Sequence, residues 1–266
     1  MQDTSEKAVL RAIETMHERL GEQLRVDDMA RAAMFSKFHF TRMFQRVTGV
    51  SPGRFLSALR LQRAKELLVS TPMKVADISV SVGYNSVGTF SSRFSRSVGM
   101  SPTSFRQRAG YASEILADSD GVRLSDASIS CGVQPASRDE NTLTFVGLFP
   151  GRVPEGRPVR CAVLRDSRHI TFNHAPLGQW YLLAQAVSAD RCPPGLCRDH
   201  ADRPVSVATA GPLVVRSGKS ISTELELRPG RALDPPVLLA LLNVRTYALS
   251  RLTEQSRPAE EYAVAA

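Results

Sequence analysis

Two kinds of hydrophobic pattern follow one another along the chain. In the first hundred residues apolar positions recur every three or four residues, as with Phe40, Phe44 and Val47, which places them on one face of a helix. From about residue 127 onward apolar and polar residues alternate in short runs between glycine and proline turns, as in TLTF at 142–145. The pattern predicts an α+β protein in separate domains, with an all-α N-terminal domain followed by an all-β sandwich.

The helical part contains an internal repeat at an offset of 50 residues. FSKFHFTRMFQRVTGVSPGRF at 35–55 aligns with NSVGTFSSRFSRSVGMSPTSF at 85–105, and eight aligned positions are identical. The identical positions include two inward-facing phenylalanines of a helix and the Gly-x-Ser-Pro that follows it. Self-similarity at a fixed period indicates a duplicated supersecondary unit.

Each copy is predicted to be a helix-turn-helix. A short helical pattern, VDDMARAAM or VADISVSVG, precedes a longer amphipathic one across a tight turn. We predict units at 26–48 and 75–98, and a further helix at 5–20 that covers the first unit. The connecting helix at 51–71 is about 30 Å long, close to the roughly 34 Å pitch of DNA. It carries an apolar stripe, with three basic residues largely off that stripe: Arg60, Arg63 and Lys65.

The segment GVSPG at 49–53 fits two structures with different functions. It matches the G-x-S-x-G nucleophile elbow, in which a strained strand-to-helix turn exposes a serine. It also fits a joint between helices, with Gly49 as a left-handed C-cap, Ser51 as an N-cap and Pro52 at the first helical position. The amphipathic helix before Ser51 favours the joint, as does the second copy, GMSPT, which lacks the final glycine. We predict no catalytic residue, and a hydrolase using Ser51 is a rival hypothesis.

The net charge of +8 lies entirely in the helical part. Residues 1–110 carry 17 Lys and Arg against 9 Asp and Glu, whereas the remaining residues carry 17 of each. A localised basic excess favours nucleic acid as a partner, although a merely solvated basic face explains the charge equally well. The chain has no apolar leader and no apolar run long enough to cross a bilayer, which predicts a cytoplasmic, nucleoid-associated protein without a membrane partner.

Several stretches of the helical part resemble one protein family: FSKFHFTRMFQRVTGVSPGRF, RLQRAKELL, VADISVSVGYNS and the pattern F-x-x-R-F-x-x-x-x-G-x-SP-x-x-F-R. They are similar, from about residue 5 to residue 108, to the DNA-binding region of the AraC/XylS family of bacterial transcription regulators. The resemblance implies that one monomer places two recognition helices in adjacent major grooves near a promoter. It implies double-stranded DNA and RNA polymerase as partners, with no cofactor, no metal and no enzymatic activity.

The resemblance also implies DNA-contacting positions on the first recognition helix. Phe38, Thr41 and Arg42 would face the bases, on the side of the helix opposite Phe40 and Phe44. Arg42 would pair with guanine and Phe38 would contact a thymine methyl group. The alternatives are a core position for Phe38 and a solvated surface charge for Arg42. The full set on this helix is Ser36, Lys37, Phe38, Thr41, Arg42, Gln45 and Arg46.

The second recognition helix departs from the family pattern. It carries small residues where many relatives have a long polar side chain and an arginine, and Arg93 is displaced by one position. We therefore expect the first helix to carry most sequence discrimination, and the second to contribute phosphate contacts and an apolar contact from Val87. Met34 replaces a glycine that is common in the first turn of relatives, so the sequence does not determine the geometry of that turn. The predicted DNA-binding residues of the second helix are Ser86, Val87, Gly88, Ser91, Ser92, Arg93 and Arg96.

The C-terminal part is predicted to begin after a polar linker at 109–126. We predict that residues 127–233 form the sandwich, which is weakly similar to transthyretin-like or carboxypeptidase-regulatory-like domains. Our hypothesis is that it senses a small-molecule effector or mediates homodimerisation. We predict that residues 234–266 are either a docking or dimerisation helix or a strand and tail that close the sandwich. Many family members place the sensor before the DNA-binding part, and this chain reverses that order. A second rival hypothesis is an adaptor whose β domain binds another protein, with DNA binding serving to localise it.

Candidate chemistry in the C-terminal part is weak. Cys192, Cys197 and His200, in CPPGLCRDH, do not have a standard zinc spacing, so a Pro-Pro-Gly turn with incidental cysteines is favoured and redox sensing stays open. A pairing of Cys161 with a histidine is conceivable, but surface positions for His169 and His174 are favoured. Trp180 and Tyr181 are adjacent in a strand and point to opposite faces, so one belongs to the core and the other is a candidate for a ligand surface.

Overall fold

The chain divides into two compact units in a computed structural model that describes residues 2–108, 110, 125–135, 142–164, 167–188 and 205–239. Unit 1 comprises Met1–Tyr111 together with two later segments, Val153–Gly156 and Arg231–Ala240. Unit 2 is formed by the rest of the chain. Helices lie in the first unit and strands in the second, so the expected separation of α and β parts is confirmed.

The described residues of unit 1 contain seven α-helices. The central one, α4, has 19 residues, a length of about 28 Å. It packs against α1 and against α3 of the first repeat copy, and on the other side against α5 and α7 of the second, so it connects the two halves of the unit. The helices are α1 (Gln2–Glu18), α2 (Val26–Ala32), α3 (Lys37–Thr48), α4 (Pro52–Ser70), α5 (Val75–Ser81), α6 (Val87–Val98) and α7 (Pro102–Gln107).

A triad of phenylalanines forms the core of each repeat copy. In the first copy the ring of Phe44 lies between Phe40 and Phe55, with centroid distances of 5.5 and 5.4 Å. In the second copy, at an offset of 50 residues, the corresponding two distances are both 5.6 Å. All six rings are at most 1% exposed. These tilted and edge-to-face contacts add to the burial of apolar area, so the repeated phenylalanines account for the repeated fold.

The GVSPG segment is a joint between two helices. Gly49 ends α3 in the left-handed conformation, with φ 79°, and Pro52 starts α4. A helix therefore precedes Ser51, and the strand that a nucleophile elbow requires is not there. Ser51 occupies the N-cap position, yet its side chain makes no capping hydrogen bond, whereas the Oγ of Ser101 in the second copy accepts from the backbone N–H of Ser104 at 3.1 Å.

The turns inside the two copies differ by one residue. Four residues, 33–36, separate α2 from α3, and five, 82–86, separate α5 from α6. Met34 adopts the left-handed conformation that glycine supplies in the second turn, with φ 63° against 85° at Gly83. A side chain at Gly83 would place its Cβ 2.7 Å from the carbonyl oxygen of Leu20, so only glycine fits there. The first turn is more open and accepts methionine, which is 81% exposed.

Unit 2 contains two β-sheets in its described residues. The strand order is β4-β1-β7 in one sheet and β3-β2-β5-β6-β8 in the other, and all pairs are antiparallel except β1 with β7. The strands are β1 (Ser128–Gln134), β2 (Thr142–Phe149), β3 (Arg160–Leu164), β4 (His169–Phe172), β5 (Gly178–Ser188), β6 (Val205–Val215), β7 (Ser220–Glu226) and β8 (Arg228–Pro229).

One apolar cluster is built from residues of both sheets. Ile129 and Leu225 contribute from the first sheet, and Val146 and Leu182 from the second, each at most 1% exposed. Trp180 packs against this cluster while its indole N–H donates to the Pro176 carbonyl at 2.9 Å, so it is the core member of the Trp-Tyr pair. A sandwich formed by these two sheets stays a prediction.

Parts of the sequence-based expectations lie outside the described residues. These are the Cys192, Cys197 and His200 cluster, residues 111–124 of the proposed linker, and residues 240–266 of the C-terminal segment. The described part of the segment 234–266 is 234–239, and it is neither helix nor strand. Among the helices that are described, none has the length and apolar character needed to cross a membrane.

Candidate nucleic-acid interface

The outward face of α3 presents long polar and aromatic side chains. Phe38 is 81% exposed, which excludes a core position for it. Arg42, Gln45 and Arg46 are also exposed, while Phe40 on the opposite face is completely buried. Among the described residues, no hydrogen bond or ion pair engages the side chains of Arg42, Gln45 or Arg46. This face therefore has donors, an acceptor and an aromatic surface available for a partner.

Neighbouring contacts hold the start of α3 in place. The Lys37 ammonium pairs with the Asp27 carboxylate of α2 at 3.0 Å. The hydroxyl of Thr41 donates to the Lys37 carbonyl of its own helix at 2.8 Å. The ring of Phe35 in the turn stacks on His39 at a centroid distance of 4.9 Å. Lys37 and Thr41 are thus partly engaged within the protein, unlike the arginines further along the helix.

The outward face of α6 is smaller and flatter. Val87 is 40% exposed, and Gly88 and Ser92 are exposed beside it. A Cβ added at Gly88 would meet only the Ser86 hydroxyl, at 3.7 Å, so this face is open. Ser86 itself is an N-cap, and its Oγ accepts from the Thr89 backbone N–H. Ser91 is half-buried and Arg96 is exposed.

Arg93 is engaged differently from its neighbours on α6. Its guanidinium pairs at 3.2 Å with the carboxylate of Glu155, a residue of the later segment Val153–Gly156. The same carboxylate pairs with Arg54 at 2.8 Å and accepts from the Ser97 hydroxyl at 3.0 Å. Sequence reasoning placed Arg93 at DNA and did not find Glu155, because no motif connects residues 62 positions apart.

The basic excess of unit 1 is only partly available to a partner. Residues 36–110 carry twelve Lys and Arg against Glu66 and Asp77. Three of the twelve donate to backbone carbonyls inside the unit. Arg60 donates to the Leu20 carbonyl at 3.0 Å, Arg106 donates to the Leu68 carbonyl at 3.0 Å, and Lys65 donates to the Val237 carbonyl at 3.1 Å. Lys65 is 2% exposed, which corrects the prediction that it lies largely off the apolar stripe of α4.

Two described histidines of unit 2 contact neighbouring oxygen atoms, and two described cysteines of unit 2 have raised pKa values. His169 Nε2 lies 2.8 Å from the Ser130 hydroxyl, and His174 Nδ1 lies 3.3 Å from the Ser125 carbonyl oxygen. Neither contact involves Cys161, the cysteine considered above as a partner for a histidine. Burial raises the pKa of Cys131 to about 12 and that of Cys161 to about 11, which disfavours a thiolate. Within the described ranges no three metal-binding side chains come together.

A family model and several sequence relatives each match part of the chain. Residues 29–108 match the helix-turn-helix domain family. The MmsAB operon regulatory protein of Pseudomonas aeruginosa is 36% identical over 93 residues, which cover 35% of this chain and 30% of that protein. The transcriptional activator AarP of Providencia stuartii is 30% identical over 98 residues, which cover 36% of this chain and 73% of that protein. The chain belongs to the AraC/XylS family.

The residues that match the helix-turn-helix family lie within unit 1. The matched stretch spans about a third of the length of the regulators of Pseudomonas aeruginosa and Bacillus subtilis. Among solved structures, the DNA-binding domain of AdpA in complex with a target DNA is 29% identical, with 38% of this chain and 93% of that chain covered and a TM-score of 0.37. Both α3 and α6 lie within the residues that match the helix-turn-helix family.

Proposed function

We propose that the protein is a sequence-specific regulator that binds double-stranded DNA at bacterial promoters. One observation carries the proposal. In an AraC-type unit, α3 keeps Phe38, Arg42, Gln45 and Arg46 on an outward face without partners among the described residues, opposite a fully buried aromatic face. An arginine and an exposed ring on one face of a helix match the acceptor and methyl groups of the major groove.

The two reading helices, α3 and α6, have different roles in this proposal. Arg42 donates to a guanine and Phe38 contacts a thymine methyl group, so α3 supplies base discrimination. The exposed face of α6 is built from Gly88 and Ser92, which are too short for bidentate contacts with bases. Its contribution is an apolar contact from Val87 and phosphate contacts, for which Arg96 is exposed. Phosphate contacts fix position and affinity without reading sequence.

Unit 2 is proposed to modulate DNA binding, as a β-sandwich that binds a small-molecule effector or a second copy of the chain. The support is chain continuity. Val153–Gly156 belongs to unit 1, yet it lies in sequence between β2, which ends at Phe149, and β3, which begins at Arg160. A rearrangement of these strands therefore acts on unit 1 through only a few residues. We propose RNA polymerase as the further partner at the promoter.

Selection of genomic fragments tests the proposal directly. The full-length protein is incubated with sheared genomic DNA, and the bound fragments are recovered and sequenced. We expect a common motif upstream of a small number of genes, and an affinity that falls with salt by a log–log slope of about −0.9 per neutralised phosphate. An absence of duplex binding at about 50 mM salt, where phosphate contacts are strongest, would refute the proposed function.

A further inference from the structure

Glu155 connects the two halves of unit 1 through a single carboxylate. One oxygen accepts from Arg54 at 2.8 Å, and the other accepts from Arg93 at 3.2 Å and from Ser97 at 3.0 Å. Arg54 lies at the start of α4, five residues after Gly49 ends α3. Arg93 and Ser97 lie on α6. The carboxylate thus links the first turn of α4, which follows α3 after a three-residue joint, to α6.

The backbone around Glu155 is fixed in place. The N–H of Gly156 donates to the Ser97 carbonyl at 2.7 Å, and Val153 is 3% exposed. The carbonyl of Pro154 accepts from the N–H of Leu238 at 3.0 Å, and Leu238 is fully buried. Because backbone hydrogen bonds and an apolar anchor hold the loop on both sides, the carboxylate has little freedom to follow a moving helix.

The segment containing Leu238 is in turn fastened to α4. The buried ammonium of Lys65 donates to the carbonyls of Val237 and Leu239, both at 3.1 Å. Leu239 is 4% exposed. A continuous set of contacts therefore runs from α4 through this segment and the Glu155 loop to α6.

The relative position of α3 and α6 is also supported by α4 and by the close approach of the Leu20 carbonyl to Gly83 in the turn of the second copy. Both copies pack on α4, and no helix of the first copy packs extensively against a helix of the second among the described residues. Outside α4, a direct link is the hydrogen bond between the Gln23 and Asn85 amides at 2.8 Å, which is exposed. Exposed hydrogen bonds contribute little rigidity, whereas the Glu155 side chain is only 19% exposed.

We propose that Glu155 is a positioning residue that sets the distance and angle between the two reading helices, and with them the half-site spacing that the protein accepts. This inference rests on the proposed function, because spacing matters only if both helices enter grooves of one duplex. This role also explains why Arg93 pairs with Glu155. The guanidinium of Arg93 holds α6 through that pair and is therefore not available for a phosphate.

Spacing discrimination in the full-length protein tests the inference. Glu155→Gln removes the charge while keeping an acceptor for Ser97. Glu22→Gln is the matched control, because it removes an equal charge from an exposed pair with Arg19 within one turn. Affinity is measured for the selected operator and for the same operator with one base pair inserted between its half-sites. We expect the ratio of the two affinities to fall by about three- to tenfold in Glu155→Gln and to stay at the wild-type value in Glu22→Gln.

A measurement without DNA separates this inference from the proposed function. Backbone hydrogen exchange of α6 in the full chain should be faster in Glu155→Gln than in wild type and in Glu22→Gln. If wild type binds no DNA, the proposed function fails, while the exchange result still tests whether Glu155 holds α6 in position. An unchanged spacing ratio, or an equal gain in affinity for both spacings, would overturn the inference, as would unchanged exchange. If Glu155→Gln does not fold, Arg54→Gln removes the same link from the other side.

Discussion

The ammonium group of Lys65 lies 3.1 Å from the carbonyl oxygen of Leu239, although 174 positions separate the two residues in sequence. Lys65 is in the middle of α4, and its second acceptor is the carbonyl of Val237. A neutral amine keeps two N–H groups and still donates to both carbonyls, although its hydrogen bonds are weaker than those of an ammonium. Both protonation states of this side chain are therefore compatible with the two contacts, and they differ in how much free energy their burial costs.

Burial lowers the pKa of Lys65 to about 7, with a small opposing contribution from Glu66. Between this value and the ordinary lysine value of 10.5 the unfolded chain binds one more proton than the folded chain, so the free energy of unfolding rises with pH. The rise at this site is at most about 1.4 kcal/mol per pH unit. It is absent below pH 7 and above pH 10.5, where both states have the same protonation.

Lys65→Met isolates this effect from other groups that titrate in the same range. We expect the stability of wild type relative to Lys65→Met, measured by urea denaturation, to increase from about pH 7 to about pH 10. A constant difference across that range would contradict the prediction.

Gly83→Ala should strongly destabilise unit 1. The residue has a φ of 85°, and the new Cβ would approach the Leu20 carbonyl to 2.7 Å. Strain and the clash together should lower the free energy of unfolding by about 2–4 kcal/mol. Thermal or urea denaturation of the full chain measures this loss.

Met34→Gly provides the opposite case at the corresponding turn. Met34 has a φ of 63° and is 81% exposed, so glycine relieves strain without removing buried contacts. After allowance for the greater freedom of glycine in the unfolded chain, we expect stability to rise by about 0.5 kcal/mol. A clear loss of stability in the same denaturation assay would show that the methionine side chain has a contact role.

The two Gly-x-Ser-Pro joints should respond unequally to loss of the serine hydroxyl. Ser101→Ala removes a capping hydrogen bond and should cost about 1 kcal/mol. Ser51→Ala removes no such bond and should cost less than about 0.5 kcal/mol. Urea denaturation of the two variants beside wild type tests the difference, and equal losses would contradict it.

Base discrimination should depend on α3 more than on α6. Arg42→Ala should weaken binding to the selected operator by about 1–3 kcal/mol and relax the preference at one base pair. Ser92→Ala should change operator affinity by less than about 0.5 kcal/mol, because a serine hydroxyl makes at most a single exposed contact. Competition titrations with single-base operator variants measure both effects, and a larger loss of specificity in Ser92→Ala would refute this division of roles.

The sequence predicts those features of the fold that local patterns determine. Phe40 and Phe90 mark the inner faces of two amphipathic helices, and the glycines at 49 and 99 mark their ends, so the amino-acid sequence alone reveals the repeat. The offset of 50 residues hides one difference between the copies. The first helices, α2 and α5, are offset by 49 residues, because the turn between α5 and α6 is one residue longer than the turn between α2 and α3.

The packing of later segments on unit 1 could not be predicted in this way. Lys65 has the sequence surroundings of an exposed helical lysine, and its burial depends on a segment more than 170 positions away. Glu155 follows a proline in a polar loop and matches no motif. The pairing of distant segments depends on the tertiary fold, which helical and strand periodicity do not encode.

The division of unit 1 into three stretches of sequence affects how the protein can be divided into fragments. A fragment that ends at residue 110 would leave the Lys65 side chain without its two carbonyl partners and Arg54 and Arg93 without their shared carboxylate. The DNA-binding unit of this chain therefore draws its contacts from three separate stretches of sequence. Chimeras that graft only the two repeat copies onto another sensor would inherit the reading surface but lose the contacts that fix its geometry.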